Sequence, residues 1–253
     1  TGQAVEEQAW SVVMKVRLPR ILLALFVGAG LSVSGASFQA LFSNPLATPD
    51  TLGVAYGASF GAVLALLFTR NLVVVQLSAL AMGLIALGGT CLISRLNKKN
   101  TILMIVLGGM VVSSLFQALV SLAKYVADPE EDLPAITYWL MGSMSRATYK
   151  SLAIGIPLIL VGTGILLLRW RLNILSLQED ETKALGIDVR RLRTVVMVAA
   201  TLATASCVSL CGQVGWIGLL IPHIARMLYG SDNRRILPAS IALGAAFLVV
   251  IDT

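Results

Sequence analysis

Long apolar runs alternate with short polar segments along the whole chain. Charges are confined almost wholly to the gaps, and the runs lack the strict alternation typical of a transmembrane β-barrel. A helix needs about 20 apolar residues to cross a bilayer. Runs near or above that length occupy 18–42, 52–69, 72–94, 101–124, 151–168, 194–222 and 236–251. The pattern predicts an all-α polytopic membrane protein with about seven visible transmembrane helices in a single domain, 1–253.

Composition agrees with this class. The chain is 57% hydrophobic and 13% charged, whereas soluble domains carry about 25% charged residues. The net charge of +6 suits loops that face anionic lipid headgroups. No soluble basic surface is predicted that would hold a duplex, so the expected partner is the lipid bilayer and not nucleic acid. Lysines and arginines divide almost evenly between the two faces, but their concentration in 95–100 and 169–193 favours that face as cytoplasmic.

Few residues offer metal or redox chemistry. The three cysteines, Cys91, Cys207 and Cys211, fall inside predicted spans, and His223 is the only histidine. Packing is the preferred role for the cysteines because no second ligand type accompanies them. We therefore predict no metal site and no cofactor bound by this chain.

Two loops are less generic. Residues 125–150 predict an amphipathic helix at the membrane interface, with Tyr138 and Trp139 at headgroup depth. Residues 173–193 combine acidic residues, the compact sequence ALGID and a basic end. That loop is either a docking element with a small apolar knob or an ordinary surface turn.

The segment NPLATPDTLG, 44–53, separates the first two runs. Pro45 and Pro49 lack the amide hydrogen that a helix needs and disfavour helical geometry at the preceding residues. The segment therefore predicts a helix break. Glycine, proline and glycine at 35, 45 and 53 recur with equal spacing at 212, 222 and 230, five crossings later, which is the arrangement of an inverted repeat or a coincidence.

These residues resemble a known family. The stretch RLPRILLALFVGAGLSVSGASFQALFSNPLATPDTLG is similar to the membrane permeases of iron-siderophore, haem and vitamin B12 importers, the FecCD-like, type II class of ATP-binding cassette (ABC) importers. The similarity continues through YWLMGSMSRATY, ETKALGIDVRRLR, GQVGWIGLLIPHIARML and GAAFLVVID. The family has ten helices with inverted repeats, and the visible helices match its second to eighth. A first helix and the last two helices are expected to be missing from this chain.

The resemblance implies an importer subunit in the bacterial inner membrane. Two permease copies form a homodimer, two ATP-binding subunits drive alternating access, and a periplasmic or lipid-anchored protein delivers the cargo. Cargo would be an iron-siderophore, haem, cobalamin or similar metal chelate, with a small oxyanion also open. The chain has no GxxxxGK[ST] phosphate loop, so the partner would use ATP and Mg²⁺ and this chain is expected not to be an enzyme.

The same resemblance assigns roles to particular residues. Arg17 and Arg20 would dock the binding protein, although arginines that anchor a helix end by snorkelling fit the same pattern. Asn100 and Thr101 would begin the span that contributes to the cytoplasmic gate. The coupling loop against the ATP-binding subunit would comprise Glu179, Thr182, Ala184, Leu185, Gly186 and Ile187.

Polar residues of the first long run are candidates for the transport path. Polar groups at membrane depth are costly unless protein or water satisfies them. Hydrogen bonds between helices would explain them equally well. The candidates for the path or the helix break are Ser34, Gln39, Asn44, Pro45 and Pro49, with Ser37 beside them.

Two other functions fit parts of the pattern. A secondary transporter with inverted repeats needs a buried carboxylate for ion coupling, and the spans contain only Asp252, at the last run's end. An intramembrane serine protease would pair Ser34, in a Ser–Gly dipeptide, with His223.

Overall fold

The computed structural model describes residues 9–95, 102–167, 172–176 and 188–252. Within these ranges the chain forms helices and no strands, which confirms the all-α prediction. Short 3₁₀ helices occupy Pro49–Leu52 and Leu172–Ser176. The α-helices are α1 (Leu18–Phe42), α2 (Val54–Leu66), α3 (Leu72–Arg95), α4 (Ile102–Val126), α5 (Asp132–Leu140), α6 (Tyr149–Leu166), α7 (Val189–Cys211), α8 (Ile217–Tyr229) and α9 (Asn233–Asp252).

Six of the described helices are long and apolar enough to cross a membrane: α1, α3, α4, α6, α7 and α9. In contrast, α2 and α8 have 13 residues each. At 1.5 Å per residue such a helix is about 20 Å long, shorter than the ~30 Å hydrocarbon core. The run at 52–69 therefore forms a short helix and not the full crossing that its length predicts.

The predicted span 194–222 is wrong as a single helix. Helix α7 ends at Cys211 and α8 begins at Ile217. Between them Gly212 has φ of 80° and Trp216 has φ of 68°, both in the left-handed region that a right-handed helix cannot contain. Uniform apolar composition hid this break, because hydropathy does not report backbone conformation.

The first helix starts earlier than its apolar run suggests. Helical structure extends from Ala9 to Phe42, and a π-helical stretch, Val13–Arg17, lies just before Pro19. A proline ring clashes with the carbonyl four residues before it in an α-helix. The wider π turn accommodates Pro19 without ending the helix.

Two helices form the centre of the bundle. In the most apolar window of each span, 78% of α1 and 72% of α7 are buried, against 28–33% for α3, α4, α6 and α9. Helix α1 packs against α9, α7, α8 and α6. A Cβ at Gly35 would overlap the carbonyl of Gly218, so α1 and α8 approach backbone to backbone there.

The repeated glycine–proline–glycine triplet does not mark equivalent positions. Gly35 lies inside α1 whereas Gly212 follows the end of α7, and Pro45 lies in a loop whereas Pro222 lies inside α8. The two breaks differ in length, so the two triplets, although equally spaced in sequence, fall at different places relative to their helices. What recurs is the order of elements: a long helix, a break, and a 13-residue helix.

The helix predicted within 125–150 is present as α5, but its two rings differ in environment. Tyr138 is 50% exposed, whereas Trp139 is 2% exposed and packs with Ala55, Ile136 and Val208. Trp139 therefore belongs to the protein core and does not face lipid headgroups as predicted. Its burial attaches α5 to the end of the bundle.

Candidate functional site

A cavity of about 540 Å³ lies where the two helix breaks meet. Thr48, Pro49 and Asp50 line it from the first break, and residues 213–216 line it from the second. The first residues of α2 and α8 and the inner helices α1 and α7 complete the wall. Its volume is within the ~300–1,000 Å³ typical of ligand sites.

The first break begins with a turn built by Asn44. Helix α1 ends at Phe42 and is followed by Ser43, whose φ of 48° is left-handed. The Oδ1 atom of Asn44 then accepts a hydrogen bond of 2.9 Å from the amide of Leu46, an arrangement in which asparagine imitates a backbone turn. Asn44 and Pro45 are exposed. Asn44 therefore braces the turn and does not line the cavity.

Pro49 opens the 3₁₀ helix of the first break, and neighbouring helices satisfy the polar backbone around it. Thr90 of α3 donates to the carbonyl of Leu52 at 2.9 Å, and Ser113 of α4 donates to that of Asp50 at 3.2 Å. Non-helical backbone at membrane depth requires such partners. Gly53, with φ of 75°, then starts α2.

The second break places Trp216 beside the cavity in an unusual conformation. Trp216 has positive φ, precedes α8 and is 79% exposed. Large side chains rarely adopt this conformation, and such residues concentrate at functional sites. Upstream, the amide of Ser143 donates to the carbonyl of Cys211 at 2.7 Å and satisfies the end of α7.

Of the five residues predicted for the path or helix break, Pro49 alone lines the cavity. Ser34 is fully buried, and its hydroxyl has no partner among the described residues. Gln39 is 1% exposed and its Nε2 donates to the carbonyl of Leu219 at 3.5 Å, which links α1 to α8 at the cavity wall. Ser37 donates back to Val33 within α1.

Six polar or aromatic residues that line the cavity were not among the predicted path residues: Thr48, Asp50, Tyr56, Thr204, Gln213 and Trp216. Asp50 is half-buried, and its carboxylate has no hydrogen bond or ion pair with any described residue. It is the one charged side chain in the described lining. Gly212 and Gly215, close together in an apolar run, were the available signal for the second break.

The two candidate docking arginines differ. Arg17 is exposed. Arg20 makes a two-pronged ion pair with Asp252, with Nε to Oδ2 at 2.6 Å and Nη2 to Oδ1 at 2.9 Å. The pair fastens the start of α1 to the end of α9 and supplies the partner that Asp252 needs.

The segment before the coupling loop is attached to the opposite end of the bundle. The Nδ2 atom of Asn173 donates to Asp232 at 2.8 Å, and its Oδ1 accepts from the amide of Asn233 at 3.0 Å. The hydrogen bond from Asn173 is the main cause that lowers the pKa of Asp232. Leu172 and Leu175 pack into the core formed with α1. We call these contacts of Asn173 with the α8–α9 corner the Asn173 clamp.

Several predicted residues lie outside the described part of the chain: the gate residues Asn100 and Thr101, and the whole coupling loop, Glu179, Thr182, Ala184, Leu185, Gly186 and Ile187. In the described ranges no group of three or more histidine, cysteine or acidic residues is placed to hold a metal. The hydroxyl of Ser34 has no partner, so the pair with His223 that an intramembrane protease requires is not formed.

Comparisons with known proteins agree with the fold. The sequence matches the FecCD transport family over residues 1–253. The molybdate import system permease protein MolB of Haemophilus influenzae is 41% identical, over 100% of this chain and 75% of its own length. A probable iron chelatin transport system permease of Helicobacter pylori strain 26695 is 38% identical, over 95% of this chain and 73% of its own length. A solved structure assigned as a metal-chelate type ABC transporter, in an inward-facing conformation, superposes with a TM-score of 0.92 at 42% identity, over 96% of this chain and 78% of that chain.

The family match spans every residue, and the solved relative shares the helical architecture described above. The six long apolar helices indicate a multi-pass protein of the inner membrane. Relatives that are permease subunits of ABC importers identify the transport role. The chain belongs to the FecCD transport family and is a permease of an ABC importer.

Proposed function

We propose that this permease works as a homodimer that moves a metal chelate from the periplasm to the cytoplasm by alternating access. Two ATP-binding subunits supply the energy, and a periplasmic or lipid-anchored protein delivers the cargo. The observation that carries the proposal is the cavity between the two helix breaks, inside a bundle of the importer family. Short helices that meet at a break are suited to tilt about it, and tilting changes which side of a cavity is open.

The coupling step rests on the Asn173 clamp. Residues 177–187 lie between the clamp and α7, so a push on that loop reaches the α8–α9 corner through Asn173 and reaches α7 directly along the chain. Helix α8 borders the cavity. Closure of the ATP-binding subunits would thus move one wall of the path.

Replacing Leu185 by Asp tests this coupling. A charge in the apolar contact should abolish most ATP-driven uptake in proteoliposomes, while the permease itself remains folded and in the membrane. ATP hydrolysis by the co-purified subunits should no longer respond to the loaded binding protein. Leu185→Met keeps the apolar character and serves as the control. Normal uptake by Leu185→Asp would remove the loop from the coupling mechanism.

Charge reversal tests the docking role. Arg17→Glu should weaken binding of the loaded binding protein by about tenfold or more, because an attractive contact with an acidic residue becomes repulsive. Arg20→Glu should weaken it less, because Arg20 must give up its ion pair with Asp252 to bind an incoming carboxylate. Co-purification of the ATP-binding subunit should not change. Lys15→Glu, an exposed neighbour on the same helix, controls for general loss of positive charge. Docking affinity that stays the same in both arginine variants, measured by surface plasmon resonance on nanodiscs, would contradict the assignment.

Relatives with different cargoes leave the chemical identity of the chelate to experiment. One relative is named for molybdate import and another for iron chelatin transport. The ligand that co-purifies with the cognate binding protein, identified by mass spectrometry and elemental analysis, tests the metal-chelate proposal. An oxyanion without a chelated metal would replace it.

A further inference from the structure

The cavity between the helix breaks carries an uncompensated negative charge. Asp50 lines it, is half-buried and forms neither a hydrogen bond through its carboxylate nor an ion pair within the described residues. The remaining polar lining consists of neutral side chains, including Thr48, Tyr56 and Gln213. A carboxylate with no partner in a low-dielectric wall acts strongly on whatever enters the cavity.

The elements around the cavity do not supply a balancing cation. Helix α2 contains no charged residue, and between Arg20 and the end of α1 there is none either. The charges of α7 are confined to its first turns, at the end opposite the break. Arg226 lies in the last turn of α8, whereas the cavity is lined by Gly218 and Leu219 of its first turn.

Two aromatic residues also favour a positively charged ligand. Tyr56 and Trp216 both line the cavity, and Trp216 is largely exposed there. Aromatic faces attract cations through the ring quadrupole, with tryptophan the most effective ring. The carboxylate and the aromatic rings therefore both favour a ligand with positive charge.

We propose that Asp50 is a specificity-determining residue that makes this cavity favour cationic groups of a passing ligand and disfavour oxyanions. The proposal deepens the proposed function, because it assumes that the cavity belongs to the transport path. It concerns the charge of the cargo surface that contacts the permease and names no particular chelate. A permease with this charge would pass a cationic or neutral chelate more readily than an oxyanion of equal size.

The test measures the charge preference of the cavity directly, without transport. Gly215 lines the cavity, and a Cβ added there meets no heavy atom within 4 Å, so Gly215→Cys places a thiol in the wall without crowding. The background carries Cys91→Ser, Cys207→Ala and Cys211→Ala. The full chain, with its ATP-binding subunit, is labelled in proteoliposomes with trimethylammonium-ethyl or sulfonato-ethyl methanethiosulfonate, two thiol reagents of similar size and opposite charge.

The ratio of the cationic to the anionic labelling rate is the readout. Asp50→Asn should lower that ratio by roughly tenfold, because a unit charge at several ångströms changes the two rates in opposite directions. Asp50→Glu should preserve the ratio. Asp128→Asn removes a carboxylate from the loop after α4, outside the cavity lining, and should leave the ratio unchanged.

An unchanged ratio in Asp50→Asn, or no labelling of Gly215→Cys by either reagent, would overturn the proposal. If Asp50→Asn fails to fold, Asp50→Ser provides a second neutral variant, and Asp50→Glu tests the charge in a folded protein. Labelling needs neither ATP nor the binding protein. The two proposals can therefore fail separately. If the labelling ratio depends on Asp50 but the protein shows no ATP-driven uptake, the transport proposal is rejected and the charge of the cavity is still established.

Discussion

Single glycines determine how closely the central helix approaches its neighbours. Gly35 contacts the backbone of α8, and Gly28 of α1 meets Gly244 of α9 in the same manner. Helices in lipid gain association energy from close van der Waals packing, since lipid tails are as apolar as their side chains. The helices of this bundle therefore pack most closely at these small residues.

Gly35→Ala should destabilise the protein by about 1–3 kcal/mol, because the new methyl group overlaps the carbonyl of Gly218. Thermal unfolding of the detergent-solubilised protein, followed by tryptophan fluorescence, measures the effect. Gly88→Ala is the matched control, since a Cβ at Gly88 within α3 meets no heavy atom within 4 Å. The control should be neutral or slightly stabilising, by up to about 1 kcal/mol. Equal behaviour of the two variants would disprove the close-packing explanation.

Sequence and structure diverge most at the scale of single side chains. The small residues at 28 and 35 are visible in the sequence, but their partners Gly244 and Gly218 come from helices remote along the chain. Likewise, Asn44 was a candidate for the path and proves to brace a local turn, while Asp50 lines the cavity. Residue type shows that a side chain can form a hydrogen bond or ion pair, but it does not show whether a partner is present or which residue supplies it.

Some helix boundaries follow signals that lie in the sequence. Helix α6 shows this clearly. Thr148 accepts a hydrogen bond from the amide of Ser151 at 3.2 Å, and Ser151 accepts one from the amide of Thr148 at 3.1 Å. This reciprocal pair is a capping box, and it fixes the first turn of α6.

Thr148→Ala should reduce stability by about 1 kcal/mol, because the first-turn amide loses its acceptor. Hydrogen–deuterium exchange should rise in the first turn of α6 and change little in α7. Thr148→Ser keeps the hydroxyl and should behave like the original protein. If Thr148→Ser lost as much protection from exchange as Thr148→Ala, loss of the hydroxyl would not be the cause of the destabilisation.

The sequence analysis predicted a helix interruption only where prolines marked it. Pro45 and Pro49 in the sequence predicted the first helix break. The second break has no proline between Cys211 and Ile217 and depends on positive φ at Gly212 and Trp216. Hydropathy treats 194–222 as one run because tryptophan and glycine interrupt neither its length nor its apolar character. The left-handed backbone at Trp216 is a conformational property, which a composition window does not report.

The whole bundle has two distinct ends. At one end Tyr149 donates to the carbonyl of Met14 at 2.6 Å and Arg20 pairs with Asp252. At the other end the Asn173 clamp holds the α8–α9 corner. The resemblance to importer permeases places the first end outside and the second in the cytoplasm.

Thiol labelling tests this orientation. In the cysteine-free background, Lys150→Cys should react with a membrane-impermeant maleimide in right-side-out vesicles, because exposed Lys150 adjoins Tyr149 at the outer end. Ser231→Cys, exposed beside the Asn173 clamp, should react only in inverted vesicles. Detergent should expose both thiols equally. The reverse pattern would invert the assigned topology and with it the sides assigned to docking and coupling.

If Arg20 docks the binding protein as proposed, its pairing with Asp252 makes docking there an exchange of partners. An incoming carboxylate must displace one that is already bound, so the number of ion pairs is the same before and after. The affinity gained at Arg20 would therefore be small, whereas exposed Arg17 would add a contact without losing one. The exchange would release Asp252 and so remove the ion pair that attaches α9 to α1. Arrival of the binding protein would then separate the end of α9 from the start of α1, and α1 is one of the two central helices of the bundle.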